Sequence, residues 1–173
     1  MFRRRVVVLC SAAALCVAAG ASAKFVSVGD EDVRFLAIGP AGMKINGKAS
    51  DLKAKESDGK IEIRVPVNDL ETGIGLRDKH LKGYLKASAH PEAILVVERS
   101  KLKMPEDKKT VTGSAKGKLT LKGVTKPMSF DYKAKRTGSD YHVQGKATID
   151  IRDHEIEVPC YLGVCVDPEV KIK

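Results

Sequence analysis

The amino-acid sequence predicts an all-β fold: an antiparallel barrel of about eight strands with one short helix inserted near the middle. Apolar and polar residues alternate with a period of two over residues 61–67, 111–122, 128–135 and 141–152. This alternation is typical of strands that bury one face and expose the other. Turn-forming sequences separate these stretches, and residues 76–85 show helical spacing instead. A closed or nearly closed barrel is favoured because it leaves no long strand edge exposed.

Residues 1–23 have the composition of a secretory signal peptide. A basic start is followed by an apolar run over residues 6–20 and then by small residues that end at Ala23. We expect cleavage after Ala23, which leaves one domain over residues 24–173. No later stretch of the sequence approaches the apolar length that spans a bilayer.

The first hairpin has two competing turn sequences. Both Gly39-Pro40-Ala41-Gly42 and Asn46-Gly47 are suited to tight turns. The alternation continues through Ile45, Gly47 and Ala49, so we place the turn at residues 39–42.

One segment has the periodicity of a helix. Leu81, Tyr84 and Leu85 fall on one face at helical spacing, and Asp78 lies in the first turn, where the helix dipole favours a carboxylate. Pro91 limits how far the helix can extend.

The inward-facing positions of the predicted strands carry many small residues. They are Gly47, Ala49, Gly113, Ala115, Gly117, Ala134, Gly145 and Ala147. Aromatic residues make up 5% of the chain and tryptophan is absent, so few large side chains are available to fill a barrel. An eight-stranded barrel is either filled by side chains or holds one small ligand. From the alternation alone both outcomes stay open, since glycines at strand bends would also explain the small residues.

The cysteines divide between the two parts of the chain. Cys10 and Cys16 lie in the signal peptide, where a leucine precedes each, so we expect no lipid anchor. Cys160 and Cys165 stay in the mature chain, and in an exported protein a local disulfide between them is the favoured interpretation. The alternative is two buried thiols on one bent strand, with Cα atoms too far apart to bridge. Their spacing excludes a C-x-x-C redox motif.

Motifs for catalysis or metal binding are weak. Residues 113–119 look faintly like a phosphate loop, but the glycines are one residue too close and Leu119 stands where Ser or Thr would contact magnesium. The Gly-x-Ser-x-Gly motif of esterases is missing, and the four histidines lack metal-ligand spacing. We therefore expect no catalytic residue, no metal and no cofactor.

The charge balance is basic, with 31 Lys and Arg against 22 Asp and Glu. Many lysines fall on outward positions of the predicted strands. They are Lys116, Lys118, Lys122, Lys133, Lys135 and Lys146. Interspersed acidic residues and few aromatics argue against nucleic-acid binding. Ordinary solubility explains such lysines, and a weak association with anionic membrane surfaces stays open.

Three segments, in order along the mature chain, resemble the hallmark sequences of the YceI-like family. Residues 68–81 read Asn-Asp-Leu-Glu-Thr-Gly-Ile-Gly-Leu-Arg-Asp-Lys-His-Leu, and Pro91 follows ten residues later. Residues 117–127 resemble the second signature of the family, and residues 161–170 resemble its closing strand. The resemblance implies a lipocalin-like antiparallel barrel in the bacterial periplasm, whose apolar lumen holds a long isoprenoid chain of the polyprenyl or quinone type.

The resemblance and the alternation together give the residues expected to line the lumen. They are Val33, Phe35, Ile45, Gly47, Ile63, Val65, Leu81, Leu85, Ala115, Gly117, Leu119, Phe130, Tyr132, Val143, Gly145 and Ala147. Arg77 and His80 are candidate contacts for a polar head group. The alternative for Arg77 is that it holds the helix on the rim of the barrel, together with Asp78, through buried hydrogen bonds.

We therefore expect a periplasmic binding or carrier protein for an isoprenoid lipid, without enzymatic activity. Two other interpretations stay open. One is an interaction protein of the envelope stress response that binds no lipid. The other is a thiol redox protein that uses Cys160 and Cys165.

Overall fold

The computed structural model describes Phe25 and residues 31–173, and the predicted signal peptide lies outside these described residues. The strands and the helix are β1 (Val33–Ile38), β2 (Lys44–Ala49), β3 (Lys53–Ser57), β4 (Lys60–Pro66), α1 (Gly75–Tyr84), β5 (Glu92–Glu98), β6 (Thr110–Leu121), β7 (Val124–Thr137), β8 (Asp140–Asp150), β9 (Cys160–Tyr161), β10 (Val164–Cys165) and β11 (Glu169–Ile172). Short 3₁₀ helices cover Pro40–Gly42, Val67–Asp69, Arg99–Lys101 and Ile151–His154.

Nine of the described strands form one antiparallel sheet, in the order β2–β1–β11–β8–β7–β6–β5–β4–β3. The sheet curls into a half-barrel, and β9 and β10 form a separate hairpin. The predicted all-β antiparallel fold with one inserted helix is confirmed. The sheet is less closed than expected, because its edge strands β2 and β3 do not pair with each other.

The edge strand β2 is instead covered by the segment that follows β4. The backbone N–H of Lys48 donates to the carbonyl of Glu71, and the N–H of Glu71 donates to the carbonyl of Lys48, each at 2.9 Å. This bridge satisfies backbone groups that a sheet edge would otherwise leave unpaired. The half-barrel is thus joined across its gap by a connecting segment and not by a strand pair.

The first hairpin turns where the alternation places it. Residues Pro40–Gly42 form a 3₁₀ turn in which Ala41 and Gly42 have φ angles of +55° and +77°. Asn46 and Gly47, the competing turn sequence, lie in the middle of β2.

The predicted helix is present as α1, and it covers one end of the half-barrel. Leu85, at its C-terminal end, is buried together with Val67, Ala87 and Ile156. Partly buried residues that pack against this group are Leu70, Leu81, Tyr84, Ala93, Leu121 and Ile151. We call these residues the cap cluster.

The predicted disulfide between Cys160 and Cys165 is present. The two residues face each other across the β9–β10 hairpin, with Cα atoms 4.0 Å apart. Leu162 and Gly163 form its two-residue turn, and both have positive φ, as a type I′ turn requires. The cysteines therefore lie on two paired strands and not on one bent strand.

Candidate functional site

One face of the half-barrel is apolar across many neighbouring strands. Residues directly opposite each other in an antiparallel pair lie on the same face. Phe130 of β7 lies between Ala115 of β6 and Ala147 of β8, and Ala147 is in turn opposite Ile172 of β11. Ile172 is opposite Phe35 of β1, so this face continues to the far side of the sheet.

All the predicted lining residues that lie on strands share this face. They are Val33, Phe35, Ile45, Gly47, Ile63, Val65, Ala115, Gly117, Leu119, Phe130, Tyr132, Val143, Gly145 and Ala147. We call this face the trough. The two predicted residues on the helix, Leu81 and Leu85, pack into the cap cluster at one end of it.

Three glycines of the trough make room for neighbouring side chains. A Cβ at Gly47 would lie 2.2 Å from the ring of Phe35, so the glycine allows that ring to lie flat over β2. A Cβ at Gly117 would lie 2.8 Å from Leu95 Cδ1, and one at Gly113 would lie 2.9 Å from the Tyr132 hydroxyl. At these positions the small residues reflect close packing and leave no free volume.

The trough is open along β8. Among the described residues, the atom nearest to a Cβ at Gly145, apart from its chain neighbours, would be the Asp131 carbonyl oxygen at 3.9 Å, and Val143 is 63% exposed. Ala147, two residues further along, is half-buried. An exposed apolar surface on the concave side of a sheet is where an apolar ligand would gain most by removing water.

The end of the trough opposite the cap cluster is polar and aromatic. Glu56, on the concave face of β3, is 8% exposed, and the Arg99 guanidinium lies 2.8 Å from its carboxylate. The Arg99 guanidinium also lies 4.6 Å from the centre of the Phe25 ring, which packs edge-on against Tyr141 of β8. The burial of Glu56 is tolerable because its charge is paired.

Sequence reasoning did not single out this polar end. Glu56 is two positions after Ala54 in β3, so both side chains point to the same, inward face. A charged residue at an inward position was the one feature of the sequence that indicated this polar end. Its partner Arg99 is 43 residues away along the chain. A contact of that separation leaves no periodic trace in one sequence.

The candidate head-group residues lie on α1. His80 is exposed and Arg77 is half-buried. In this turn the Asp78 carboxylate accepts hydrogen bonds from the backbone N–H and the side-chain hydroxyl of Thr72, which lies in the loop before the helix. Asp78 therefore fixes the start of the helix, while Arg77 and His80 lie beside it on the rim.

Within the described residues, no three His, Cys, Asp or Glu side chains come together as a metal site. His154 is buried, and its Nδ1 lies 3.0 Å from the carbonyl oxygen of Val124. The described part of the chain also has no helix with the length and apolar character needed to cross a bilayer.

Sequence comparison places residues 20–173 within the YceI-like domain model. A UPF0312 protein of Pectobacterium atrosepticum is 34% identical over 116 residues, which cover 62% of this chain and 57% of the relative. A UPF0312 protein of Pseudomonas aeruginosa is 32% identical over 107 residues, or 57% of this chain and 53% of the relative. The chain thus spans little more than half the length of these relatives.

Solved structures share the fold at low sequence identity. A polyisoprenoid-binding domain from Saccharophagus degradans, implicated in plant cell wall breakdown, superposes with a TM-score of 0.67 at 15% identity, covering 82% of this chain and 88% of that domain. BcnA of Burkholderia cenocepacia has a TM-score of 0.63 at 15% identity, covering 82% and 91%. At such identities the likeness shows the fold alone.

Proposed function

Because this chain belongs to the YceI-like family, we propose that it is a binding or carrier protein that holds an isoprenoid lipid, of the polyprenyl or quinone type, in the trough. The observation that carries the proposal is the open apolar stretch along β8, where Val143 is exposed and the described residues leave the concave side of Gly145 uncovered. The fold is shared with a domain from Saccharophagus degradans that is described as polyisoprenoid-binding, which supports the same ligand class.

The proposed mechanism is burial of the hydrocarbon chain. Each methylene group that leaves water for an apolar surface contributes about 0.8 kcal/mol. The apolar residues of β6, β7 and β8 form a continuous surface for such a chain, and no covalent step is needed. We therefore propose a binding protein and not an enzyme, with Arg77 and His80 as contacts for the polar head group.

We further propose that the protein works in the periplasm. Residues 1–23 have the order of basic, apolar and small residues that directs export. The Cys160–Cys165 disulfide supports this location, since disulfides persist in oxidising compartments such as the bacterial periplasm.

The outer face of the sheet supports a weak association with anionic membrane surfaces, from which a lipid carrier would take up its lipid. On β6, β7, β8 and β11 this face carries the exposed lysines Lys116, Lys118, Lys133, Lys135, Lys146 and Lys171. None of these lysines forms an ion pair with another described residue. The other half of the sheet is different, because Arg64 pairs with both Glu62 and Glu92.

Lysines near an anionic bilayer contribute about 1 kcal/mol each. We expect co-sedimentation with phosphatidylglycerol vesicles at low salt and none with phosphatidylcholine. The triple variant Lys133→Glu, Lys135→Glu, Lys146→Glu should abolish it, whereas Lys53→Glu with Lys60→Glu, on the other half of the outer face, should have a much smaller effect. Equal losses in the two variants would contradict a docking face on β6–β8.

The lipid-binding function is tested by native mass spectrometry of protein purified from the periplasm without detergent. We expect an adduct that is lost on solvent extraction and that carries an isoprenoid fragmentation pattern. Extraction should be followed by rebinding of an added prenyl alcohol. Absence of both the adduct and the rebinding would contradict the proposal and favour an interaction protein that binds no lipid.

A further inference from the structure

We propose that Phe25 limits how long a hydrocarbon chain the trough can hold. The inference rests on the lipid-binding function proposed above and adds a specificity-determining residue to it. Phe25 stands at the end of the trough that lies opposite the cap cluster.

Phe25 contacts two strands that are far apart in the sheet. Its carbonyl accepts a hydrogen bond of 2.8 Å from the N–H of Glu56 on the edge strand β3. Its ring centre lies 4.8 Å from that of Tyr141 on β8, with the ring planes at 87°. Five strand spacings separate β3 from β8, which would be about 24 Å in a flat sheet. One residue can touch both strands only because the sheet curls at this end, so Phe25 stands in the gap that the curl leaves.

The ring of Phe25 lies on the concave side. Tyr141 shares its face of β8 with Val143 and Gly145, the open part of the trough, because side chains two residues apart point the same way. Glu56 of β3 lies opposite Ile61 of β4, so the two side chains are on the same face of the sheet. Phe25 therefore ends the same apolar surface that Val143 leaves exposed.

Charged groups lie around the ring and make it unfavourable for a hydrocarbon chain to extend beyond it. The Arg99 guanidinium lies 4.6 Å from the ring centre and is fixed by the Glu56 carboxylate, and the Arg136 guanidinium lies 5.4 Å from the centre of the Tyr141 ring. A lipid tail that displaced the ring would lie against an ion pair instead of an apolar wall, and burying that pair against hydrocarbon is unfavourable.

The two ends of the trough differ in how they could be changed. The cap cluster is built from many aliphatic side chains of α1 and its neighbours, so no single substitution would open it. At the opposite end the ring of Phe25 lies in front of the Glu56–Arg99 pair. Removing that ring should free its own volume on the near side of the pair and so lengthen the accessible surface, whereas enlarging the ring should shorten that surface.

The test compares binding of all-trans prenyl alcohols from farnesol to solanesol by the mature protein and its variants. We expect the parent protein to retain alcohols up to a limiting length. Phe25→Ala should bind at least one longer member of the series, with affinity for farnesol unchanged within about twofold. Phe25→Trp should shift the limit to shorter chains. The control Leu162→Ala, on the exposed turn of the β9–β10 hairpin, should keep the parent limit.

The outcomes separate the two proposals. The same limit in the parent, Phe25→Ala and Phe25→Trp would overturn the role of Phe25 while leaving the carrier function intact. Failure of the folded parent to bind any alcohol of the series would overturn the carrier function itself. Thermal unfolding of each variant identifies a protein that has lost its fold, and the opposite shifts of the Ala and Trp variants keep the test decisive if one of them is unstable.

Discussion

Asp78 accepts two hydrogen bonds from Thr72, one from the backbone N–H at 2.7 Å and one from the side-chain hydroxyl. These bonds hold the pKa of the Asp78 carboxyl below its ordinary value. They join the first turn of α1 to the loop before it, so the ionised carboxylate stabilises the position of the helix that covers one end of the trough.

A pH dependence follows from this lowered pKa. A carboxyl with a lower pKa in the folded state adds stability above its unfolded pKa of about 4, and this stability is lost as the pH falls through the folded pKa. Asp78→Asn should therefore lower the free energy of unfolding at neutral pH, and its difference from the parent should narrow as the pH falls below about 4. Denaturant unfolding at several pH values measures this. Asp140→Asn, at the exposed start of β8, is the control, and a difference for Asp78→Asn that is constant with pH would contradict the prediction.

The Glu56–Arg99 pair gives a prediction about stability. The Glu56 side chain is 6% exposed and the Arg99 side chain 29%. Arg99→Ala would leave the buried carboxylate unpaired, which costs about 3–5 kcal/mol at fully buried sites, and the partial exposure of Arg99 places the expected loss near about 3 kcal/mol. Arg34→Ala, which breaks the exposed pair with Asp32, should cost at most about 1 kcal/mol. Urea unfolding measures both losses of stability. A loss for Arg99→Ala that is as small as the loss for Arg34→Ala would show that the Glu56–Arg99 pair adds little.

The fold was predictable where a pattern repeats and unpredictable where contacts are distant. The long alternations of β6, β7 and β8 are visible in the sequence because one face is apolar and the other carries lysine. Strand β3 was missed, because a five-residue segment with three charged residues has little periodic signal. The alternation favours a closed or nearly closed barrel, but it does not determine how far the sheet closes. The degree of closure depends on sheet curvature, which is set by tertiary contacts between distant residues.

The candidate site was predictable to the same extent. Alternation assigns residues such as Gly117 and Gly145 to one face, but it cannot distinguish a glycine that makes room for a neighbour from one that faces open space. That difference depends on Leu95, which lies on another strand and close to Gly117. Phe25 was missed as part of the site because its contacts with Glu56 and Tyr141 depend on how the sheet curls.

The disulfide should be structural and not catalytic. Closing so short a loop adds about 2 kcal/mol in the chain-entropy model. Cys160→Ser with Cys165→Ser should therefore lower the free energy of unfolding by about that amount and leave prenyl-alcohol binding unchanged. Non-reduced protein should also be about 2 Da lighter than reduced protein, as loss of two hydrogens on disulfide formation requires. A double variant with normal stability that loses a measurable thiol-exchange activity would favour the redox interpretation.

The leader gives a prediction about the mature chain. Residues 1–23 contain the basic, apolar and small segments of a signal peptide in order. Protein expressed with its own leader and recovered from the periplasm should begin at Lys24. Intact-mass analysis that finds residues 1–23 retained, or an acyl group on Cys16, would contradict this. The result also determines how much chain precedes Phe25.

The open trough is tested most directly at Gly145. In the part of the chain that the structure describes, the nearest non-neighbouring atom to a Cβ there lies at 3.9 Å, so a larger side chain should fit without strain and occupy the surface proposed for the lipid. We expect Gly145→Leu to keep or raise the melting temperature of delipidated protein while abolishing retention of a prenyl lipid through gel filtration.

At Gly117 the same change to leucine should be destabilising, since even a Cβ would lie 2.8 Å from Leu95 Cδ1 and 2.9 Å from the Val96 carbonyl oxygen. Overpacking of this kind typically costs about 1–3 kcal/mol. Lys146→Gln, on the outer face of the same strand, is the matched control and should change neither property. If Gly145→Leu still retains lipid as well as the parent does, the open stretch of β8 does not hold the ligand, because a leucine at that position would cover it.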